Sequence, residues 1–203
     1  MLENLKGYHI YLASNSPRRK ELLQRLGLSF QVRSLAGIDE TYPEGLDYEE
    51  VAHYVARKKA DAYRSLMQPN DLVITADTIV ALDSRIFGKP HSLDHAKDML
   101  RELSGRTHKV STGVCVLTNG IERSLVATTD VTFANLSDDE ICSYVDQYIP
   151  LDKAGSYGVQ DWIGLIAVER IEGSYFNVMG LPVQRLYNLL KNIPPIDGTD
   201  EHI

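Results

Sequence analysis

The stretch 12-LASNSPRRKELL-23 reads as a strand that runs through a short turn into a helix. Leu12 and Ala13 close an apolar run that starts at Tyr8. Ser16 is a good N-cap and Pro17 suits the first helical position. A strand feeding a helix is an α/β unit. The helix start is nevertheless the wrong place for Arg18 and Arg19. That end of a helix carries partial positive charge, and a cation there costs roughly 0.3–1 kcal/mol. A capping box would put Glu or Gln where Arg19 stands. Two readings are open. The turn is an anion site, with free N–H groups, two guanidiniums, and Ser14 and Ser16 as further donors. Alternatively, Arg18-Arg19-Lys20 is a solvated basic face, the usual fate of such a run.

Outward from this unit, the pattern alternates strands and helices. The helix is expected from Pro17 to Leu26, with Leu22, Leu23 and Leu26 on one face and Gly27 as its stop. Phe30 to Ser34 is a second strand, 37-GIDETYPEGLD-47 an acidic loop, and Tyr48 to Leu66 a long helix. Leu72 to Leu82 is a buried strand and Arg85 to Phe87 its short return. Ser92 caps a helix that ends near Leu103. Val110 to Leu117 and Ile121 to Phe133 flank Asn119-Gly120, a strong hairpin signal. Ser137 and Glu140 form a capping box. Ile163 to Arg170 is expected as a strand, and Gly180-Leu181-Pro182 leads into a last helix ending near Lys191. No internal repeat or Gly/Ser linker divides the chain. The expectation is one domain over residues 1–193 and a polar, disordered tail, 194-PPIDGTDEHI-203.

The 203 residues suffice for one good core. Charged residues make up 24% and hydrophobic ones 43%, as in a soluble globular protein. The net charge of −7 argues against a general nucleic-acid binder, but not against an anionic small ligand held by a local basic cluster. Cys115 and Cys142 show no metal-type spacing and read as packing residues in a reducing compartment. No stretch reaches the ~18 apolar residues of a membrane span, and the N-terminus lacks a signal-peptide pattern. A cytoplasmic protein without membrane or nucleic-acid partners is expected.

Other charged residues are also out of place. On the helix 48–66, Val51, Val55 and Lys59 are spaced by four, so the apolar stripe runs into a lysine. Lys59 either snorkels at the stripe's edge or reaches into a phosphate site. Asp77 interrupts the buried run 72-LVITADTIVAL-82, where an ionised carboxylate is expensive unless paired or metal-bound. It is either an Asp at a strand bend or a metal ligand or general base. Asp39 and Glu40 are acids that could share a divalent cation with it. Lys89 in GKP, Lys153 in DKAG and Arg106 in SGRTH lie beside Gly or Pro, where backbone approaches ligands. His108 reads as structural or surface; no second histidine makes a metal pair with it.

Several ordered segments resemble the Maf family of nucleoside triphosphate pyrophosphatases. They are 12-LASNSPRRKELL-23, 56-ARKKA-60, 74-ITADTIV-80, 88-GKP-90, 103-LSGRTHKVSTGV-114, 152-DKAGSYGVQ-160 and 173-GSYFNVMGLPV-183. The resemblance implies an α/β fold: an elongated, mixed, twisted sheet flanked by helices, with two lobes and a central cleft, shared with inosine-triphosphate pyrophosphatases. It implies hydrolysis of a nucleoside triphosphate to the monophosphate and pyrophosphate with a divalent cation, Mg²⁺ or Mn²⁺, in a homodimer. Asp77 matches the proton acceptor. Ser14, Arg18, Arg19, Lys59 and Lys89 match the phosphate-binding set, and Glu40 the acid that joins Asp77 at the metal. Arg18, Thr78 and Gln160 occupy specificity positions of the subgroup acting on dTTP and UTP. Asp161-Trp162 follows Gln160 where glycine is common, a departure beside the base pocket.

A chemical role for each residue follows. The cations and the metal would neutralise charge on the leaving pyrophosphate, Asp77 would orient or deprotonate the attacking water, and Gln160 would read a pyrimidine edge. The rival expectation is a non-catalytic nucleotide-binding regulator of cell division or septum formation. Such a protein would keep the basic cluster without needing Asp77 and Glu40 together.

Overall fold

A computed structural model describes residues 2–196. Seven strands form one mixed sheet: β1 (His9–Leu12), β2 (Gln31–Val32), β3 (Asp71–Leu82), β4 (Arg85–Phe87), β5 (Thr107–Leu117), β6 (Glu122–Phe133) and β7 (Val168–Glu172). The order is β2-β1-β3-β5-β6-β7, with β4 on β3. β1 runs parallel to β2 and β3, and the remaining pairs are antiparallel. The helices are α1 (Pro17–Arg25), α2 (Tyr48–Asp61), α3 (Leu93–Leu103), α4 (Asp138–Tyr148), α5 (Trp162–Ala167), α6 (Tyr175–Val178) and α7 (Val183–Lys191). The architecture is the expected α/β sheet flanked by helices. Among the described residues, no helix is long and apolar enough to cross a membrane.

The two edges of β3 are treated differently, and that positions the site. One edge pairs with β5 from Val73 to Ala81. The other pairs with β1 from Asp71 to Ile74 and with β4 from Val80 to Leu82. Between these two partners, residues 75–79 have no strand on that side. The carbonyls of alternate residues face the same edge. Ile74 O therefore accepts from Ala13, and Ala76 O, next in that row, has lost its strand partner.

α2 covers one face of β3 and β5. Its buried stripe is Val51, Ala52, Val55, Ala56 and Ala60, as the spacing predicts. Asp47 and Glu50 close a capping box at its start. The helix stops at Asp61, earlier than the expected Leu66. The ring of Tyr63 turns inward; its hydroxyl donates to Arg33 O at 2.6 Å and accepts from Leu35 N at 3.0 Å.

Other expectations are corrected. The strand expected over Ile163 to Arg170 is helical up to Ala167, and β7 begins at Val168. Ile163 and Ala167 are four apart and both buried, whereas Leu165 is 81% exposed. This is a helical burial pattern within an apolar run that periodicity alone does not separate from a strand. The second strand shrinks from Phe30–Ser34 to Gln31–Val32. Both cysteines are free thiols; Cys115 is buried, and burial pushes its thiol up to about 12. Of the expected disordered tail, Pro194 O accepts a hydrogen bond from the Tyr8 hydroxyl at 3.0 Å. Residues 197–203 lie outside the described residues.

Candidate active site

The unpartnered segment of β3 opens into a cleft of about 400 Å³. Its walls come from the β1–α1 turn, the loop after β2, the last turn of α2, the middle of β3, the GKP loop, the 152–160 loop and the segment before α7. Ser14, Arg18, Arg19, Glu40, Lys59, Asp77, Thr78, Lys89 and Gln160, spread over the chain, all line it. Lys153 and Asp152 line it as well. The cations outnumber the carboxylates on this wall, although the whole chain is acidic.

Lys59 is at the centre. Its ammonium lies 2.7 Å from Asp77 Oδ1 and 3.0 Å from Glu40 Oε1. The Lys59 and Asp77 side chains are only 12% and 14% exposed, so the pair is largely desolvated. The apolar stripe of α2 therefore delivers a lysine to a carboxylate rather than to solvent. Glu40 reaches it because the preceding loop is tied to the same helix. Lys58 donates to Asp39 Oδ2 at 2.7 Å and to Thr41 O at 2.9 Å. The Lys58 hydrogen bond, with those from Thr41, holds the Asp39 carboxyl well below the usual range. Asp39 itself is outside the cleft wall.

Arg19 is built into the protein. Its Nη1 donates to Ala76 O at 2.9 Å, the carbonyl that the sheet leaves without a strand partner. Its Nε donates to Gly180 O at 2.8 Å, its Nη2 to Thr78 Oγ1 at 3.0 Å, and Nη1 also to Ser14 Oγ at 3.4 Å. Burial pushes its guanidinium down from the ordinary value; Asp77 and Glu40 pull it up, and Arg18 adds to the lowering. Arginine stays protonated under such conditions. Thr78 Oγ1 in turn meets Thr112 Oγ1 at 2.9 Å, and Thr112 donates to Asn177 O at 3.3 Å. A chain of hydrogen bonds thus runs from α1 through two strands to α6.

Arg18 behaves differently. Its Nη1 lies 3.1 Å from Asp152 Oδ2 across the cleft. Burial pushes the Asp152 carboxyl up, but hydrogen bonds and charge from Lys153 and Arg18 outweigh it and bring it below the ordinary value. Lys89 is exposed, with no hydrogen-bonded or ionic partner among the described residues. Its loop is tied to the DKAG segment by Gly155 N donating to Gly88 O at 3.1 Å. Gln160 is exposed into the cleft.

Arg106 and His108 are both outside the cleft wall. Arg106 donates to Asp83 at 2.6 Å on the exposed surface. His108 is structural: it is buried, its Nε2 lies 2.7 Å from the Tyr157 hydroxyl, and burial holds it neutral with its pKa lowered to about 4. Asp152 in the cleft wall and Thr112 behind it are not marked as misfits in the sequence. The acid beside Lys153 was the available signal for the first. For Thr112 there was none, because its role depends on lying opposite Thr78 in the β3–β5 ladder.

The carboxylates present fit a divalent cation of the magnesium type. Asp77 and Glu40 converge on one point, now held by the Lys59 ammonium. Magnesium sites commonly use one or two carboxylates completed by substrate phosphates. Among the described residues there is no group of three or more His, Cys, Asp or Glu that would hold a metal unaided.

Fold and cleft together define an α/β protein with a cation-rich cleft around a largely desolvated carboxylate. The sequence matches the family described as Maf-like protein over residues 9–193, and the chain belongs to that family. A relative from Phocaeicola vulgatus named dTTP/UTP pyrophosphatase is 61% identical over 193 residues, covering 95% of this chain and 100% of the relative. Relatives of the same name from Bacteroides thetaiotaomicron and Porphyromonas gingivalis are 55% and 56% identical, covering 95% of this chain and 100% and 98% of theirs. Among solved structures, the nucleoside-triphosphatase, dITP/XTP pyrophosphatase, from Mycobacterium abscessus has a TM-score of 0.40 at 17% identity, covering 63% of this chain and 75% of its own. The Ham1 protein of Staphylococcus aureus has a TM-score of 0.42 at 15% identity, covering 63% and 72%.

Proposed function

We propose that this chain hydrolyses dTTP and UTP to the nucleoside monophosphate and pyrophosphate. The observation that carries the reading is the Lys59–Asp77–Glu40 group at the centre of a cationic cleft, with Gln160 in the same cleft. The names of the relatives support the same reaction. A non-catalytic regulator of cell division is not favoured, because it would not need a desolvated carboxylate among the cations.

In this reading, a water oxygen attacks the α-phosphorus. The bond from that phosphorus to the bridging oxygen breaks, and pyrophosphate leaves. Asp77 orients the water and takes its proton at a carboxylate oxygen. Lys59 holds the Asp77 side chain in place at 2.7 Å and adds positive charge where negative charge grows. Arg18, Lys89 and Lys153 present the remaining cations to the phosphates, and Ser14 adds a hydroxyl. Arg19 contributes its field and the placement of Thr78. Gln160 offers a donor and an acceptor to a pyrimidine edge. Asp77 and Glu40 would hold Mg²⁺ or Mn²⁺, which when bound supplies Lewis-acid stabilisation of phosphoryl charge. The expected setting is cytoplasmic, the expected partner a second copy in a homodimer, and the expected domain residues 1–193.

The test is a panel of nucleoside triphosphates with Mg²⁺, followed by pyrophosphate release. Release from dTTP and UTP well above that from purine nucleotides is expected. Absence of release from every pyrimidine triphosphate overturns the reading.

A further inference from the structure

Gln160 stands at the corner of a β-turn. Asp161 N donates to Gly158 O at 2.9 Å, closing the turn around Val159 and Gln160. Val159 points into the core and Gln160 into the cleft. Behind the turn lies Tyr144 of α4, whose side chain is fully buried. Its hydroxyl donates to Asp161 Oδ2 at 2.9 Å and accepts from Gly158 N at 3.2 Å. One hydroxyl thus grips both ends of the turn, and it is used as donor and acceptor at once. Lys153 Nζ adds charge 3.7 Å from the same Asp161 oxygen.

Asp161 has an ordinary alternative that it does not take. It occupies the N-cap position of α5, where an Asp side chain normally accepts from the first helical N–H groups. Here it makes no such bond. Its carboxylate is turned back toward the turn, packed so closely that a Cβ on Gly158 would lie 2.5 Å from Oδ2. Asp161 is also absent from the cleft wall, so it acts on a ligand only through its neighbour.

We infer that Asp161 and Tyr144 are positioning residues for Gln160, fixing the turn that aims its amide and so setting discrimination among pyrimidine bases. The inference rests on the reading of Gln160 as the base-facing residue. UTP and CTP differ at the edge where one offers an acceptor and the other a donor. A loosely held amide would satisfy both, whereas a fixed one prefers one of them.

The experiment measures kcat and KM for UTP and CTP with the full chain and Mg²⁺, in the wild type and in Gln160→Ala, Asp161→Asn, Tyr144→Phe and the Asp161→Asn/Gln160→Ala double variant. Asp161→Asn and Tyr144→Phe are each expected to shrink the ratio of kcat/KM between the two nucleotides by about fivefold or more, chiefly through KM. The double variant should shrink it no further than Gln160→Ala alone. If Gln160→Ala shrinks the ratio while both positioning variants leave it intact, the inference falls and the base-facing reading survives. If Gln160→Ala itself leaves the ratio intact, the base-facing reading falls and the inference with it. Equal loss of kcat on both nucleotides at an unchanged ratio marks plain structural support and likewise overturns the inference.

Discussion

Gly113 lies directly opposite Asp77 in the β3–β5 ladder, and the backbone of α2 packs against it at Ala52 and His53. A Cβ on Gly113 would stand 2.2 Å from Ala52 O. The missing side chain lets α2 settle against the sheet beside the catalytic candidate. Two helical turns further on, the same helix presents Lys59 to Asp77 at 2.7 Å. Gly113→Ala should therefore lift α2, lowering stability by about 1–3 kcal/mol and turnover with it. Urea denaturation and pyrophosphate release measured on the same preparation check both.

Asp77→Asn should leave nucleotide binding within about threefold of wild type while reducing turnover by about 10²–10⁴-fold. The amide keeps the shape of the carboxylate but takes no proton. Calorimetric binding together with single-turnover hydrolysis separates the two effects. Turnover close to wild type would remove Asp77 from its assigned role.

Arg19→Ala should destabilise the fold by about 2–4 kcal/mol, because Ala76 O, Gly180 O and the Thr78 hydroxyl lose a charged donor inside the protein. Arg19→Lys should recover only part, since an ammonium cannot reproduce the planar fork. A chemical-denaturation midpoint unmoved by Arg19→Ala would contradict the structural part of its role.

His108 should give a pH-dependent stability term. Its folded pKa, lowered by burial to about 4, lies below the ordinary 6.5, and Asp130 offsets only part of that lowering. The unfolded state therefore binds the proton first as pH falls. Stability from this group is complete above about 6.5 and declines until the folded form titrates near 4, by about 3 kcal/mol in all. His108→Gln should flatten that part of the stability profile, as read by urea titrations at a series of pH values.

The sequence was most legible where a residue contradicts its local setting. Asp77 inside a buried strand, Lys59 at the end of an apolar stripe and two arginines at a helix start are each misfits, and all line one cleft. What was not legible depends on partners remote in sequence. The placement of Arg19 depends on the two strands that leave Ala76 O without a partner between them. Its local neighbours suggest an anion site or a solvated basic face, not a clamp on the protein's own carbonyls. The use of Asp161 likewise depends on Tyr144, a residue of another helix. The segment from Ile163 is ambiguous in sequence because a short apolar run fits a strand and a buried helix equally well.

The bond from Arg19 to Gly180 joins residues 161 positions apart, and Asn4 likewise reaches Leu190 O and Ile193 O. Closing such long loops is the slow part of folding. During synthesis the basic turn emerges well before the carbonyl that completes its clamp, which lies 161 positions later. The cationic wall of the cleft therefore reaches its final geometry only after the segment carrying Gly180 has joined the turn carrying Arg19.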